Sequence, residues 1–191
     1  MFEFLAYMCH DSQKVNLVRE ILRGKGKDLS HVLIFASSIK SVKEIKTTLN
    51  KAGMKASEMH SGLDQDQREE TIRDFKSKKI RILVATDILS RGIDIKGIEI
   101  VINYEVPHDE EDYVHRIGRT ARADRTGEAI TFINPKQVKN FKDIEKLIEK
   151  EVPKLELPKG FSKAPKYIIQ SKNKNNKKWR NFKKQKPTSP K

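Results

Sequence analysis

Four side chains within eight residues carry the densest chemistry of the chain: His115, Arg116, Arg119 and Arg122. Guanidinium groups stay charged and present forked donors that match phosphate oxygens. Arg119 and Arg122 are three apart, hence neighbours if that turn is helical. Aimed at one point, they would stabilise the charge on a transferring phosphoryl group. A solvated basic helix end would explain a bare Arg-x-x-Arg pair. The complete run from His115 to Arg122 is far more specific. A second constellation runs from Thr86 to Asp94. Its hydroxyl at Thr86 can bond a backbone phosphate, and Asp94, after a turn at Gly92, can accept bonds from a ribose hydroxyl. Arg91 could pair an acid. Taken singly, each of these is more often a turn residue or a cap. Gln65-x-x-Arg68 is weaker, with an Arg68–Asp64 surface ion pair as its default.

These residues need elements to place them. Val32–Phe35 is a short apolar run of strand type, and Ile39, Val42, Ile45 and Leu49 follow at helical spacing. Lys55–His60 can return as a strand after a turn at Gly53. Asp64 can cap a helix from Gln65 to Lys79. Ile80–Ala85, Ile98–Asn103 and Ala129–Ile133 read as strands, and Val138 to Ile148 as a late helix. At the front, a strand over Phe4–Met8 leads to a helix from about Asp11 to Arg23. Apolar strands alternating with helices predict an α/β fold: a parallel sheet covered on both faces. In such a sheet ligands bind at the carboxyl ends of the strands. The loops that carry Ser37 and Ser38, Ser61 and Gly62, Thr86 to Asp94, and the segment of His115 to Arg122 all follow strands, so they collect at that one edge.

Composition sets the rest. The 191 residues give room for one ordinary domain and a tail. Net charge is +14, unevenly spread: residues 1–158 hold 28 basic and 26 acidic groups, whereas Lys159 to Lys191 holds 12 basic and none acidic. The division is therefore a domain over 1–158 and a basic, structureless tail over 159–191. Such a tail is either a solubilising end or a polyanion-binding arm. Tyr167, Trp179 and Phe182 among the lysines can stack on bases, and Arg180 adds a phosphate donor, so RNA or another nucleic acid comes first. A membrane surface fits poorly, because residues 172–191 show no sustained apolar helical face. One cysteine, Cys9, excludes an internal disulfide and points to a reducing, cytoplasmic setting. No apolar run approaches the ~20 residues of a membrane span, and no signal peptide is visible.

With these residues in hand, the chain resembles the second, C-terminal RecA-like domain of DEAD-box ATP-dependent RNA helicases, over about residues 3–150. Val32 to Ser38 resembles motif IV, Gln65-x-x-Arg68 the Gln-x-x-Arg element, Thr86 to Asp94 motif V, and His115 to Arg122 motif VI. The order and spacing match, and Val101-Ile-Asn-Tyr-Glu-Val-Pro107 is similar to the family's usual link between V and VI. The basic tail and the run from Arg122 to Gly127 are similar to the bacterial RhlE-like branch. The resemblance implies that Arg119 and Arg122 are arginine fingers on the ATP γ-phosphate and that Asp94, beside Gly92, holds the ribose. It implies that His115, Arg116 and Arg91 couple to acids of a partner domain. Ser38, Arg68 and Thr86 would meet the RNA backbone, assisted by amides near Ser61 and Gly62. The chain departs from the family at Ala121 (usually Gly), at Ser38 (commonly Thr) and at His60-Ser61-Gly62 (usually His-Gly-Asp).

No Gly-x-x-x-x-Gly-Lys-Ser/Thr string occurs, and Gly24-Lys-Gly-Lys27 lacks its spacing. His108 to Asp112 imitates a Mg²⁺ site, but it follows Pro107 and opens the helix of motif VI, where acids favour the helix N-terminus. The expectation is a fragment, inactive alone. It belongs to a helicase whose absent N-terminal RecA-like domain binds most of the ATP and Mg²⁺. This chain itself holds no metal. The alternatives are a stand-alone RNA-binding adaptor, or the same domain of another superfamily-2 (DNA) helicase, against which His115 and the Gln65/Arg68 pair argue.

Overall fold

The computed structural model describes residues 2–26, 29, 31–87, 95, 97–119 and 127–168. The described residues form seven strands and five helices: β1 Phe2–Met8, α1 Asp11–Gly24, β2 Val32–Phe35, α2 Ile39–Lys51, β3 Ala56–Met59, α3 Gln65–Lys76, β4 Ile82–Ala85, β5 Ile100–Asn103, α4 Glu110–Ile117, β6 Gly127–Ile133, α5 Val138–Leu147 and β7 Lys154–Leu155. The strands form one sheet in the order β3-β4-β2-β5-β6-β1-β7, and every pairing is parallel. This is the RecA-like α/β sheet expected from the sequence.

Alternation along the strands divides the core. Val32, Ile34, Ile82, Val84, Ile100 and Ile102 face α1 and α2, where they meet Leu17, Val18, Val42, Ile45 and Leu49. Leu33, Phe35, Leu83 and Val101 face the other way, against Phe75 of α3. Ala6, Ala129 and Ile133 on that second face meet Tyr113 of α4 and Phe141 of α5. Strands buried on both faces must be apolar throughout, which is why β2, β4 and β5 carry so little alternation.

Side-chain caps fix the helix starts at the sheet's carboxyl edge. Ser38 accepts the Ser41 N–H at 3.1 Å and starts α2. Asp64 accepts the Gln67 N–H at 2.8 Å while the Gln67 side chain returns to the Asp64 N–H, a reciprocal cap on α3. Asp109 accepts the Glu111 N–H at 2.9 Å, so it serves as the cap of α4.

Two boundaries differ from the sequence reading. Helix α3 stops at Lys76, three residues short of Lys79, because Lys78 turns left-handed (φ 64°) and Ile80 folds back to the Asp74 carbonyl. The chain also stays packed well beyond Pro158. Strand β7 pairs with Ala6 and Tyr7 of β1. Residues 159–168, assigned by sequence to the tail, then lie on the body. Gln13 donates to the Ser162 carbonyl at 2.9 Å and to its hydroxyl at 2.8 Å. Phe161 packs on the α1–α2 side of the core, and Ala164 and Tyr167 pack on the α5 side. Tyr167 is therefore committed to the body: its hydroxyl donates to Glu145 at 2.9 Å, and Lys154 lies 4.5 Å from its ring centre. A two-residue strand between Pro153 and Pro158 is too short to show a period, so nothing local announced it.

Candidate functional site

The ends of β3, β4, β2 and β5 are adjacent in the sheet. Three of them, β4, β2 and β5, continue one step past the strand in register. The Thr86 N–H donates to the Met59 carbonyl at 3.0 Å, that of Ala36 to Ala85 at 2.9 Å, and that of Tyr104 to Phe35 at 2.9 Å. With neighbouring strands about 4.8 Å apart, the loops that follow form one continuous rim.

On the β3 side of that rim, Arg68 reaches back from the first turns of α3 and donates to the Ser61 carbonyl at 3.0 Å. This bond replaces the surface pairing with Asp64 that was the default. The Gly62 N–H donates to His60 Nδ1 at 3.1 Å, and the Leu63 N–H returns to the His60 carbonyl. The Gly62 amide expected to meet RNA is thus already engaged inside its own loop. His60 is buried. Ser38 is exposed at the head of α2, with its hydroxyl shared with Ser41 at 2.9 Å. Thr86 is partly buried beside it in the rim.

On the β5 side, α4 delivers Arg116 into the interior. Its guanidinium donates through Nε to Asp87 at 2.8 Å, through a second nitrogen to the same oxygen, and through the third to Asn103 Oδ1 at 3.1 Å. It lies 5.0 Å from the Phe35 ring centre. One side chain therefore spans the ends of β4, β2 and β5. Its hydrogen bonds go to Asp87 and Asn103 of this domain, and it is 4% exposed. His115, one residue earlier on the helix, is exposed and free of that burial. Gly118 ends α4, where an added Cβ would lie 3.1 Å from the Val114 carbonyl oxygen. Arg119 follows half-buried, its N–H directed to the Arg116 carbonyl at 3.3 Å. Arg91, Gly92, Asp94, Arg122, Trp179 and Arg180 lie outside the described residues.

Sequence reasoning missed a second line of polar groups behind the rim. Lys14 is buried, pairs with Asp11 at 2.8 Å and lies 5.5 Å from the Tyr104 ring centre. Glu105 accepts the Ser37 N–H at 3.0 Å. Burial pushes the Glu105 carboxyl above its ordinary value, against the pull of Lys14, Ser37 and Arg116. Burial likewise raises the Cys9 thiol to about 12, so it stays protonated and unreactive. The available signal was polar residues ending apolar runs: Asn103 after Ile100-Val-Ile, and Asp87 after Ala85-Thr86.

A rim of hydroxyls and one arginine on one side, joined through a buried arginine to a further arginine on the other, suits a phosphate-bearing ligand. Residues 13–124 match the helicase conserved C-terminal domain. The chain belongs to the DEAD-box helicase C-terminal domains. Over 123 residues it is 44% identical to the probable ATP-dependent RNA helicase ddx49 of Dictyostelium discoideum, covering 64% of this chain and 24% of that protein. It is 36% identical over 149 residues to the DEAD-box ATP-dependent RNA helicase CshA of Geobacillus kaustophilus, covering 78% of this chain and 32% of that one. A DEAD box protein from the hyperthermophile Methanococcus jannaschii superposes with a TM-score of 0.74 at 38% identity, over 81% of this chain and 42% of that structure. This helicase domain thus spans about a quarter to a third of the length of these two curated relatives. Those three proteins come from a slime mould, a bacterium and an archaeon, so they single out no branch.

Proposed function

We propose that this domain is the second half of an ATP-dependent RNA helicase, supplying arginine fingers for ATP hydrolysis and one side of an RNA groove. The observation that carries the proposal is the rim itself. Ser38, Arg68 and Thr86 stand at the ends of β2, β3 and β4, and Arg119 follows the α4 segment that Arg116 anchors to β4 and β5.

In this reading a partner RecA-like domain closes over the rim with ATP between the two. Arg119 and Arg122 then meet the γ-phosphate, where such fingers contribute about 10³–10⁵ in rate. Asp94, beside Gly92, holds the ribose. His115 and Arg91 face the partner domain's acids. Arg116 serves indirectly, by fixing the end of α4. Ser38, Arg68 and Thr86 bind the RNA sugar–phosphate backbone, and closure bends that strand. The nucleotide suits this donor set, which is cationic and forked. Mg²⁺ would enter with the nucleotide and be held mainly by the partner domain, so no step is assigned to it here.

The basic tail, with Trp179 and Arg180, adds sequence-independent RNA affinity. The tail and the run from Arg122 to Gly127 support an RhlE-like enzyme, and the single cysteine a cytoplasmic one. No helix among the described residues is long and apolar enough to cross a membrane. The test is ATP turnover by the 191-residue chain, alone and linked behind a DEAD-box N-terminal domain, with and without single-stranded RNA. The adaptor reading predicts RNA binding with no turnover in either form.

A further inference from the structure

We propose that Glu105 is a positioning residue that holds the RNA-side loop in register with the ATP-side helix. The inference rests on the helicase reading above and adds a residue to it. Glu105 lies two residues beyond the end of β5, in the segment that runs on to Asp109, the cap of α4. Its Oε2 crosses to the neighbouring strand end and accepts the Ser37 N–H at 3.0 Å. Ser37 directly precedes Ser38, the exposed cap of α2 that is assigned to the RNA backbone. Asn103, on the same strand end as Glu105, accepts from Arg116. One short segment, Asn103 to Glu105, therefore grips the motif VI helix with one side chain and the motif IV loop with another.

The choice of a carboxylate has a physical cost that asks for a reason. The group is partly buried, and burial alone raises its carboxyl. Lys14 on α1 and Arg116 on α4 pull against that burial without overcoming it, and Glu44 on α2 and Asp11 on α1 are among the acids acting on the adjoining Tyr104. A loop amide beside an exposed rim could have been left to water at little cost. Tying it to a charged group inside the fold instead limits where Ser37 and Ser38 can sit. Glu105 touches neither ATP nor RNA in this account. It acts through the position of Ser38.

The test compares two substitutions of nearly equal volume. Glu105→Gln keeps a side-chain carbonyl that can accept the Ser37 N–H; Glu105→Met removes the acceptor. Each is made in the full chain linked behind an N-terminal RecA-like domain, and RNA-stimulated ATPase is titrated with a single-stranded oligonucleotide below both melting midpoints. For Glu105→Met the RNA concentration at half-stimulation should rise about tenfold, with kcat at saturating RNA within about twofold of the parent. Glu105→Gln should stay within about twofold in both. A lowered melting midpoint with an unmoved RNA requirement would make Glu105 merely structural and overturn the inference. Equal losses in both variants would also overturn it, because charge and not the bond to Ser37 would then be at work. An unsubstituted linked protein with no RNA stimulation would overturn the helicase reading, and the inference with it. If Glu105→Met does not fold, Glu105→Ala takes its place with the same expected shift.

Discussion

Arg116 and Asp87 form a lopsided pair: the guanidinium side chain is 5% exposed and the carboxylate 47% exposed. The charge most costly to leave alone is therefore the arginine, which sits over Phe35 with Asn103 as its other partner. Removing one partner of a fully buried pair costs about 3–5 kcal/mol, and water reaching the Asp87 side should reduce that. Asp87→Ala should destabilise the domain by roughly 1–3 kcal/mol, measured by denaturant unfolding. A change below about 0.5 kcal/mol, the range of an ordinary surface substitution, would show that Asn103 and solvent suffice for Arg116.

The packed segment over 159–168 moves the point at which the tail should be cut. A chain ending at Ile168 should fold like the full one, whereas a chain ending at Pro158 loses the Gln13–Ser162 and Glu145–Tyr167 contacts and should melt lower. Residues 169–191 carry nine basic and no acidic groups. If about half of them engage phosphate, the log–log salt slope of RNA affinity should be roughly −3, and Trp179→Ala should weaken binding by about 1–3 kcal/mol through lost base stacking. Equal affinity and slope for the full chain and the Ile168 version would reduce the tail to a solvated end.

Acid should release that same segment. Burial raises the Glu145 carboxyl, but bonds from Lys154, the Val152 N–H and Tyr167 outweigh it and hold the group below its ordinary value of 4.5. A carboxylate lowered by folding contributes stability that is complete above its unfolded value and is lost as pH falls through the folded one. Tyrosine fluorescence or proteolysis at Lys163 and Lys166 should therefore report loosening only below about pH 4.5. Glu145→Gln should loosen the segment at neutral pH and flatten that dependence. A wild-type segment equally protected at pH 3 and pH 7 would remove Glu145 from the role.

The ribose assignment separates binding from chemistry. Asp94 is assigned to a part of ATP that does not react, so its contact counts alike before and during hydrolysis. Asp94→Ala in the linked enzyme should raise the apparent KM for ATP more than it lowers kcat. ATP titration under saturating RNA reads the split, and an unchanged KM with an undiminished rate would take Asp94 out of the site.

How far the sequence carries can be read from particular residues. Val32–Phe35 and the strand end at Ala85 were legible because fully buried parallel strands must be apolar, and the cap Asp64 was legible because few residue types satisfy a helix start. Arg116 was legible as an important arginine but not as a buried one. A motif string does not tell which way a guanidinium points; that depends on Asp87 and Asn103, 29 and 13 positions away. Glu105 and the segment docked by Ser162 and Tyr167 were illegible for the same reason: their partners are set by the sheet order, which places β5 beside β2 and β7 beside β1.

If this domain completes an ATPase that it cannot run alone, ATP turnover will report it. The 191-residue chain by itself should show no RNA-stimulated hydrolysis. Linked behind a DEAD-box N-terminal domain it should, and Arg119→Ala or Arg122→Ala should each then cut kcat by about 10³ or more while tail-borne RNA affinity persists. RNA-stimulated turnover by the chain alone, or near wild-type rates in both arginine variants, would contradict the account.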